Sequence, residues 1–357
     1  MIFYLSLACF PLLAGWICNI NFQDKPKDFD KKLFLFLCGT FLFLMIALRS
    51  KDVGSTDSFN YYNTWEKVRP LSFQEFTEFQ DEGSMEKGFV LLIWLLSKVF
   101  YYPQFVFVCT GALFTFAICK FLYNNCDDLV LGFVMYITLG TYTFIVQGMR
   151  QACAMSICLL SVEFCKKRKF IPFLLLIVLA YQFHMTSFVF VVVYFIYGLK
   201  IDYKSLSAVG IGVVLLYIFK SKLIAFMNNL IDTEYGSTVK GGGFVAVAVY
   251  VIIVAVALVF SDEKLRNDKN YSFFFYLSVL GMVIYLLRYF GTQAAERVSF
   301  YFLPMQAIVL PAVIKNFDLK SRRLILLPVI CLCILLFMYR LRGSDLLPYY
   351  FFWQGEN

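Results

Sequence analysis

The amino-acid sequence predicts an all-α, polytopic integral membrane protein, and its composition is the first observation that leads there. Of the 357 residues, 61% are hydrophobic, 19% are aromatic and 16% are charged, whereas soluble domains carry about 45–50% apolar and about 25% charged residues. The mean hydropathy is +0.72. A soluble globule of this composition would expose large apolar patches, which aggregate. Soluble enzymes, nucleic-acid-binding proteins and secreted disulfide-rich domains are therefore excluded.

The second observation is that apolar runs follow one another along the whole chain, with no polar linker between them. A helix needs about 20 mostly apolar residues to cross a bilayer, so we expect about 12–13 membrane helices in one domain over residues 1–357. The first run has no basic stretch before it and no cleavage site after it, so we expect it to remain as a membrane segment. The predicted segments are 2–20, 33–48, 88–102, 104–122, 129–146, 151–165, 170–183, 185–199, 206–219, 244–260, 271–289, 298–314 and 324–339.

Clusters of lysine and arginine between the apolar runs predict the orientation, because short loops rich in these residues stay in the cytoplasm. The three strongest clusters are 166–169, 264–269 and 315–323. Counting crossings from them puts four segments on the opposite face, which is the extracytoplasmic face of a bacterial cell. These are 147–150, the turn at His184, a second long loop at 221–243, and 288–297.

A long acidic segment, 49–87, follows the second predicted helix and is also expected to be extracytoplasmic. Three apolar segments separate it from Arg150, and an odd number of crossings would put the two on opposite faces. One of 88–102, 104–122 and 129–146 therefore does not cross. Because 88–102 is the shortest, we predict that it is a re-entrant or interfacial piece.

Four arginines lie in or beside the predicted extracytoplasmic segments: Arg49, Arg150, Arg288 and Arg297. A charge within the lipid is costly unless it is paired or solvated. Guanidinium groups bind phosphate oxygens in a bidentate geometry and keep their charge at neutral pH. The set therefore predicts a site for a polyanion held at the membrane. The alternative is that each arginine only extends into the lipid headgroups.

Three side chains are candidates for a general base: His184, Asp57 and Glu86. His184 is the single histidine of the chain, and an imidazole exchanges a proton near neutral pH. The alternative for His184 is an interfacial side chain bonded to the backbone, and for the carboxylates it is a solvated loop position. The sequence does not decide among the three. Because no partner residues surround His184 at ligand spacing, we expect no metal site.

Short motifs throughout the chain resemble the EpsG and Wzy-like polysaccharide polymerases of bacteria. Family members more often have Gly-Thr-Asp where this chain has Gly54-Ser55-Thr56-Asp57, and Arg288 has no counterpart in the pattern. The matching residues, in order, are Arg49 leading into Asp57 and Tyr61, Glu86-Lys87-Gly88-Phe89, Met149-Arg150-Gln151 with Ala154, the basic turn 166–169, the ending Ala180 to His184, Arg297, and Pro348-Tyr349.

The resemblance implies a GT-C-like enzyme of the bacterial cytoplasmic (inner) membrane that joins oligosaccharide repeat units carried on undecaprenyl pyrophosphate. It implies that donor and acceptor are both lipid-linked and that a chain-length regulator is a partner. A single displacement would invert the anomeric configuration, and the arginines could stabilise the leaving pyrophosphate without a metal or other cofactor. The implied roles are pyrophosphate or substrate binding by Arg49, Arg150, Gln151, Arg297 and Tyr61, and catalysis by His184 with Asp57 and Glu86. Arg288 is added to the pyrophosphate-binding residues on physical grounds alone, as an arginine at the same predicted face.

Other functions are compatible with the same residues. A flippase or exporter of the same lipid-linked glycan would need arginines and lipid grooves, but it would carry charges inside its spans rather than at one face. A glycosyltransferase or ligase that uses a polyprenyl-linked donor requires the same residue types. A purely structural membrane protein also fits the composition, but it does not account for the arginines.

Overall fold

A computed structural model describes residues 1–21, 23, 25–54, 56–79, 85–222, 244–290 and 293–354. Helices make up the fold in these ranges, which contain no β-strand, as the sequence predicts. The α-helices are α1 (Ile2–Ile17), α2 (Asp28–Ala47), α3 (Thr56–Val68), α4 (Phe73–Glu78), α5 (Lys87–Val99), α6 (Phe105–Asn125), α7 (Leu129–Thr138), α8 (Thr141–Gln147), α9 (Met149–Lys166), α10 (Phe170–Phe183), α11 (Val193–Ile196), α12 (Tyr203–Ile218), α13 (Phe244–Phe260), α14 (Glu263–Asn267), α15 (Lys269–Leu286), α16 (Gln293–Ser299), α17 (Gln306–Lys315) and α18 (Leu319–Leu341). Turns of 3₁₀ helix cover Met185–Val192, Leu287–Phe290 and Leu303–Met305.

Several of the described helices are suited to cross a membrane. Three segments are long and apolar enough by themselves: Phe105–Asn125, Ala294–Lys315 and Leu319–Leu341. The second of them runs from α16 through the 3₁₀ turn to the end of α17. Helices α7 and α8 together make a fourth that is bent by 48°. Four shorter apolar helices are Ile2–Ile17, Phe170–Phe183, Met185–Ile196 and Phe244–Phe260. The polytopic helical prediction is confirmed, although fewer helices than the predicted 12–13 are full-length spans.

Breaks in the apolar runs explain that difference. The predicted segment 129–146 is interrupted at Gly140, which has a φ of +104°, a conformation that glycine adopts without steric cost. The predicted segment 185–199 consists of a 3₁₀ turn and the four-residue helix α11. Helices α2 and α9 are 20 and 18 residues long but carry charged residues at their ends.

One face of α18 shows how the helices meet the lipid. Leu327 and Leu335 are exposed, whereas Leu326, Leu336 and Phe337 are buried against the other helices. In water such exposed leucines would aggregate. In a bilayer they contact acyl chains, which is the environment that the composition predicts.

The basic clusters meet at one end of the bundle, which we call the lysine end. Lys25, Lys31, Lys264 and Lys315 line one open cavity of about 1180 Å³. Lys166 joins them, because its Nζ lies 2.7 Å from Oδ1 of Asn125, beside the same cavity. The positive-inside rule predicts that the lysine end faces the cytoplasm.

The opposite end of the bundle, which we call the site end, contains the end of α2 and the start of α6. Gln104, just before α6, donates to the backbone oxygens of Ala47 and Arg49, just after α2. Helix α5 therefore starts and finishes at this end, since Glu86 precedes it and Gln104 follows it. That 88–102 does not cross the membrane stays a prediction.

The acidic segment 49–87 is folded rather than extended. It contains α3 and α4, and Tyr61 and Trp65 of α3 pack with Phe89 and Ile93 of α5 in a hydrophobic cluster. The C-terminal segment covers its start, because the amides of Ser50 and Phe352 donate to Tyr350 and Leu48, respectively. The predicted loop 221–243 lies outside the described residues from 223 onward.

Candidate functional site

Glu86 joins two other charged side chains at the site end. Its Oε2 lies 2.8 Å from Nη1 of Arg150, and its Oε1 lies 2.5 Å from Nδ1 of His184. All three side chains are largely buried. Three residues separated by up to 98 positions in the sequence thus form one group, which we call the Glu86 triad.

Helix termini place the members of this triad. Glu86 is the N-cap residue of α5, Arg150 lies in the first turn of α9, and His184 is the C-cap residue of α10. Helices α5 and α10 approach closely at Gly88, where an added Cβ would lie 2.4 Å from the backbone oxygen of Gln182. A glycine at this position lets Glu86 reach His184.

The surroundings of Glu86 keep its carboxyl group ionised at neutral pH. Burial acts to raise the pKa of Glu86, but the hydrogen bond from His184 and the charges of His184 and Arg150 outweigh burial and hold the pKa below its ordinary value of 4.5. An ionised Glu86 accepts a hydrogen bond from Nδ1–H of His184, which leaves Nε2 as the nitrogen with the free lone pair. Nε2 is buried and has no hydrogen-bond partner among the described residues.

Asp57 and Tyr61 lie next to the triad, on α3. The charges of Asp57 and Arg150 both act on the Tyr61 hydroxyl, and Asp57 is one helical turn before Tyr61. The Tyr61 ring is buried against Phe89, with 5.0 Å between ring centres. The ring is therefore part of the protein core, and the hydroxyl is the part of Tyr61 that faces the charged group.

Gln151 connects the triad to the next arginine. It follows Arg150 on α9, and its Nε2 donates to the backbone oxygen of Arg297 at 2.6 Å. Arg297 lies on α16, so this bond brings α9 and α16 together at the site end. The backbone of Arg297 is thereby held against α9, one residue along from Arg150; the shared phosphate site of the two guanidiniums stays a prediction.

Arg288 forms a neighbouring charged group with a residue that the sequence analysis missed. Its Nη1 lies 3.0 Å from Oε1 of Glu296 and 2.8 Å from the hydroxyl of Tyr285. The charges of Arg288, Arg340 and Arg297 all act on Glu296. An acidic residue beside Arg297 in an otherwise apolar stretch is the signal that would have identified Glu296.

Arg49 differs from the other predicted arginines because it is completely buried. Its guanidinium bonds to the backbone oxygens of Val53 and Val146, to Ser58 Oγ and to Met149 Sδ, and it lies 4.1 Å from the centre of the Phe107 ring. These contacts hold the loop after α2 against the start of α9. The substrate contact predicted for Arg49 stays a prediction.

The hydroxyl groups of Thr186 and Tyr301 are in contact near the triad. Their side-chain oxygens lie 3.2 Å apart, and the charge of Glu86 acts on the Tyr301 hydroxyl. In the described ranges, no three His, Cys, Asp or Glu side chains are grouped as ligands for a metal ion.

Comparison with known proteins agrees with the motif resemblance. The model of the EpsG family matches residues 32–351, which is nearly the whole chain. No curated protein and no solved structure matches the chain significantly, so the GT-C-like architecture stays a prediction. The helices, the site-end residues and the family match lead to one conclusion: the chain is a membrane protein of the EpsG family, a family of Wzy-like polysaccharide polymerases with glycosyltransferase-type activity.

Proposed function

We propose that this chain polymerises oligosaccharide repeat units carried on undecaprenyl pyrophosphate, at the extracytoplasmic face of the bacterial cytoplasmic membrane. The growing glycan on one lipid is the donor, and a single repeat unit on a second lipid is the acceptor. The observation that carries the proposal is the Glu86–His184 pair at the end of the bundle opposite the lysines. A chain-length regulator is the expected protein partner.

The reaction is a single displacement. The acceptor hydroxyl oxygen attacks the anomeric carbon of the donor and forms the new glycosidic bond. The bond between that carbon and the diphosphate oxygen breaks, and its electron pair leaves with the lipid diphosphate. Displacement from the opposite side inverts the anomeric configuration.

His184 is the base in this proposal. Its Nε2 takes the proton of the acceptor hydroxyl, and Glu86 stabilises the imidazolium that forms. Glu86 is thereby a positioning residue for His184, since both of its oxygens are bonded to protein groups. Asp57 and the Tyr61 hydroxyl would orient acceptor hydroxyls beside the triad.

Arginine supplies the positive charge that the leaving diphosphate requires. Gln151, next to Arg150, bonds to the backbone of Arg297, and Arg288 is paired with Glu296, one residue before Arg297. Guanidinium groups placed where negative charge develops stabilise the transition state. We propose that these arginines act without a metal ion.

Alanine replacement tests the arginine roles. Arg150→Ala and Arg297→Ala are expected to shorten the glycan ladder on gels to single repeat units while protein levels stay normal. Arg69→Ala is the matched control, because the exposed Arg69 guanidinium donates to the backbone oxygen of Tyr101 rather than to Glu86. Long polymers from both site variants would contradict the diphosphate assignment, and purified protein that stops elongating in a chelator would contradict the metal-free mechanism.

Analysis of lipid-linked glycans in a deletion strain separates this function from the flippase or exporter alternative. Loss of a polymerase leaves single repeat units on the outer face of the membrane. Loss of a flippase leaves no unit there, and that result would overturn the proposal. A ligase would instead show polymer that accumulates on the lipid.

A further inference from the structure

Arg340 lies in the last turn of α18, and the sequence analysis did not identify it. Its Nη2 lies 3.5 Å from the Tyr250 hydroxyl, and its guanidinium carbon lies 5.7 Å from the centre of that ring. The charges of Arg340 and Arg288 both act on Glu296. These three residues, Arg288, Glu296 and Arg340, form what we call the outer arginine cluster.

The outer arginine cluster has an excess of positive charge. Arg288 is paired with Glu296 at 3.0 Å, whereas Arg340 makes no ion pair within 4.0 Å with any carboxylate of the described residues. Two guanidiniums therefore face one carboxylate. A partly buried cation without a paired anion is costly, and a bound anion would offset that cost.

Arg49 is less suited to this task. Both of its terminal nitrogens are bonded to the protein. A ligand anion at Arg49 would have to compete with these bonds. At Arg340 the neighbouring polar group is a neutral hydroxyl.

Gly140 makes room for the Arg340 side chain. It lies at the break between α7 and α8, and an added Cβ would lie 2.7 Å from Nη1 of Arg340. The hydroxyl of Tyr250 donates to the backbone oxygen of Leu139 at 2.7 Å, which fixes the ring beside the same break. The guanidinium is thus held over a turn of backbone rather than extended into the lipid headgroups.

An apolar cavity of about 330 Å³ lies between α13, α17 and α18, and its lining reaches Leu336, four residues before Arg340. Val249 and Leu336 line it. Val249 immediately precedes Tyr250, and Leu336 lies one helical turn before Arg340. Residues four apart share a helix face, so Arg340 lies in line with the lining side chains of α18. The lining is apolar throughout: Val249, Ile252, Ile253, Val256, Phe260, Leu310, Ile314, Phe317, Ile325, Val329, Leu332, Cys333 and Leu336.

A cation one helical turn beyond the lining of an apolar cavity matches an amphipathic anion. We propose that α13 and α18 bind a polyprenyl diphosphate, with its isoprenoid chain in this cavity and its diphosphate on Arg340 and Arg288. This inference rests on the proposed function, since it assigns a place to one of the lipid-linked molecules of that reaction. It also identifies Arg340 as a substrate contact.

Binding of undecaprenyl pyrophosphate and undecaprenyl phosphate to the purified full-length chain in lipid nanodiscs tests the head-group site. Arg340→Ala should weaken diphosphate binding about tenfold or more and abolish the preference for diphosphate over monophosphate. Arg340→Lys should lose part of that preference, because lysine lacks the planar fork. Arg342→Ala is the matched control, because Arg342 is exposed two residues further on. Unchanged preference in Arg340→Ala and Arg340→Lys would overturn the head-group assignment.

A second pair of variants tests the apolar cavity. Leu336→Trp fills the cavity and should weaken binding of both lipids to a similar extent, whereas Leu335→Trp, on the exposed face of α18, should bind like the wild type. If Leu336→Trp does not fold, Leu336→Phe replaces it. Equal binding by the Leu336 and Leu335 variants would overturn the assignment of the tail.

Direct binding separates this inference from the proposed function. Should the wild-type protein make no polymer while Arg340→Ala still loses diphosphate binding, the polymerase proposal fails and the lipid site stands. Should the wild-type protein polymerise and Arg340→Ala bind and polymerise equally well, the lipid site fails alone. A lowered melting temperature without a change in binding would show that Arg340 only interacts with the C-terminal end of α18, which also overturns the inference.

Discussion

Nδ1 of His184 lies 2.5 Å from Oε1 of Glu86, the N-cap residue of α5, although the two residues are 98 positions apart in the sequence. The other oxygen of Glu86 is held by Arg150. The carboxylate therefore fixes the imidazole in one orientation and one tautomer, with Nε2 as the nitrogen that can accept a proton. This arrangement leads to the first prediction.

Replacing Glu86 by Gln should reduce polymerisation about 100-fold or more. The amide keeps the size of the side chain but loses the charge that orients and stabilises the protonated imidazole. The rate of glycan elongation by purified protein measures the effect. Glu78→Gln, at an exposed position of α4, is the control and should elongate like the wild type. Full activity in Glu86→Gln would contradict the role of the triad.

The lowered pKa of Glu86 predicts how stability depends on pH. Because the folded-state pKa lies below the ordinary value of 4.5, the triad adds stability at neutral pH, and that stability is lost as the pH falls through the folded-state value. The melting-temperature difference between the wild type and Glu86→Gln should therefore be constant near neutral pH and shrink in acid. A difference that grows in acid would be inconsistent with the shift.

Replacing Arg49 by Ala should lower stability by about 2–5 kcal/mol, because several buried acceptors lose their donor. We expect a lower melting temperature and less Arg49→Ala protein in the membrane. Arg297→Ala should instead lose activity at an unchanged melting temperature. An Arg49→Ala protein with wild-type stability and no activity would support the substrate contact predicted from the sequence.

Replacing Gly88 by Ala should separate α5 from α10, since the new Cβ would meet the backbone oxygen of Gln182 at 2.4 Å. Glu86 would move away from His184, and polymerisation should fall with it. Gly210→Ala is the control: nothing lies within 4 Å of its added Cβ, and alanine favours a helix over glycine. Equal activity of both variants would argue against a close helix contact at Gly88.

The sequence alone determined that the chain is helical and embedded in a membrane, and it found most of the site-end residues. Hydropathy and lysine distribution are local properties, so they can be read without knowing how helices pack. The prediction that 88–102 does not cross the membrane followed from counting crossings along the sequence. Short motifs around Asp57, Glu86, Arg150 and His184 also belong to the local sequence.

Only the tertiary structure decided what these residues do to one another. The same residue type has different surroundings at Arg49, whose two terminal nitrogens bond to backbone oxygens and to Ser58, and at Arg340, whose neighbouring polar group is a neutral hydroxyl. Glu86 was one of three possible bases until its two oxygens were found on Arg150 and His184. Pairing and burial are set by helices far apart in the chain, and no local pattern encodes which termini will meet.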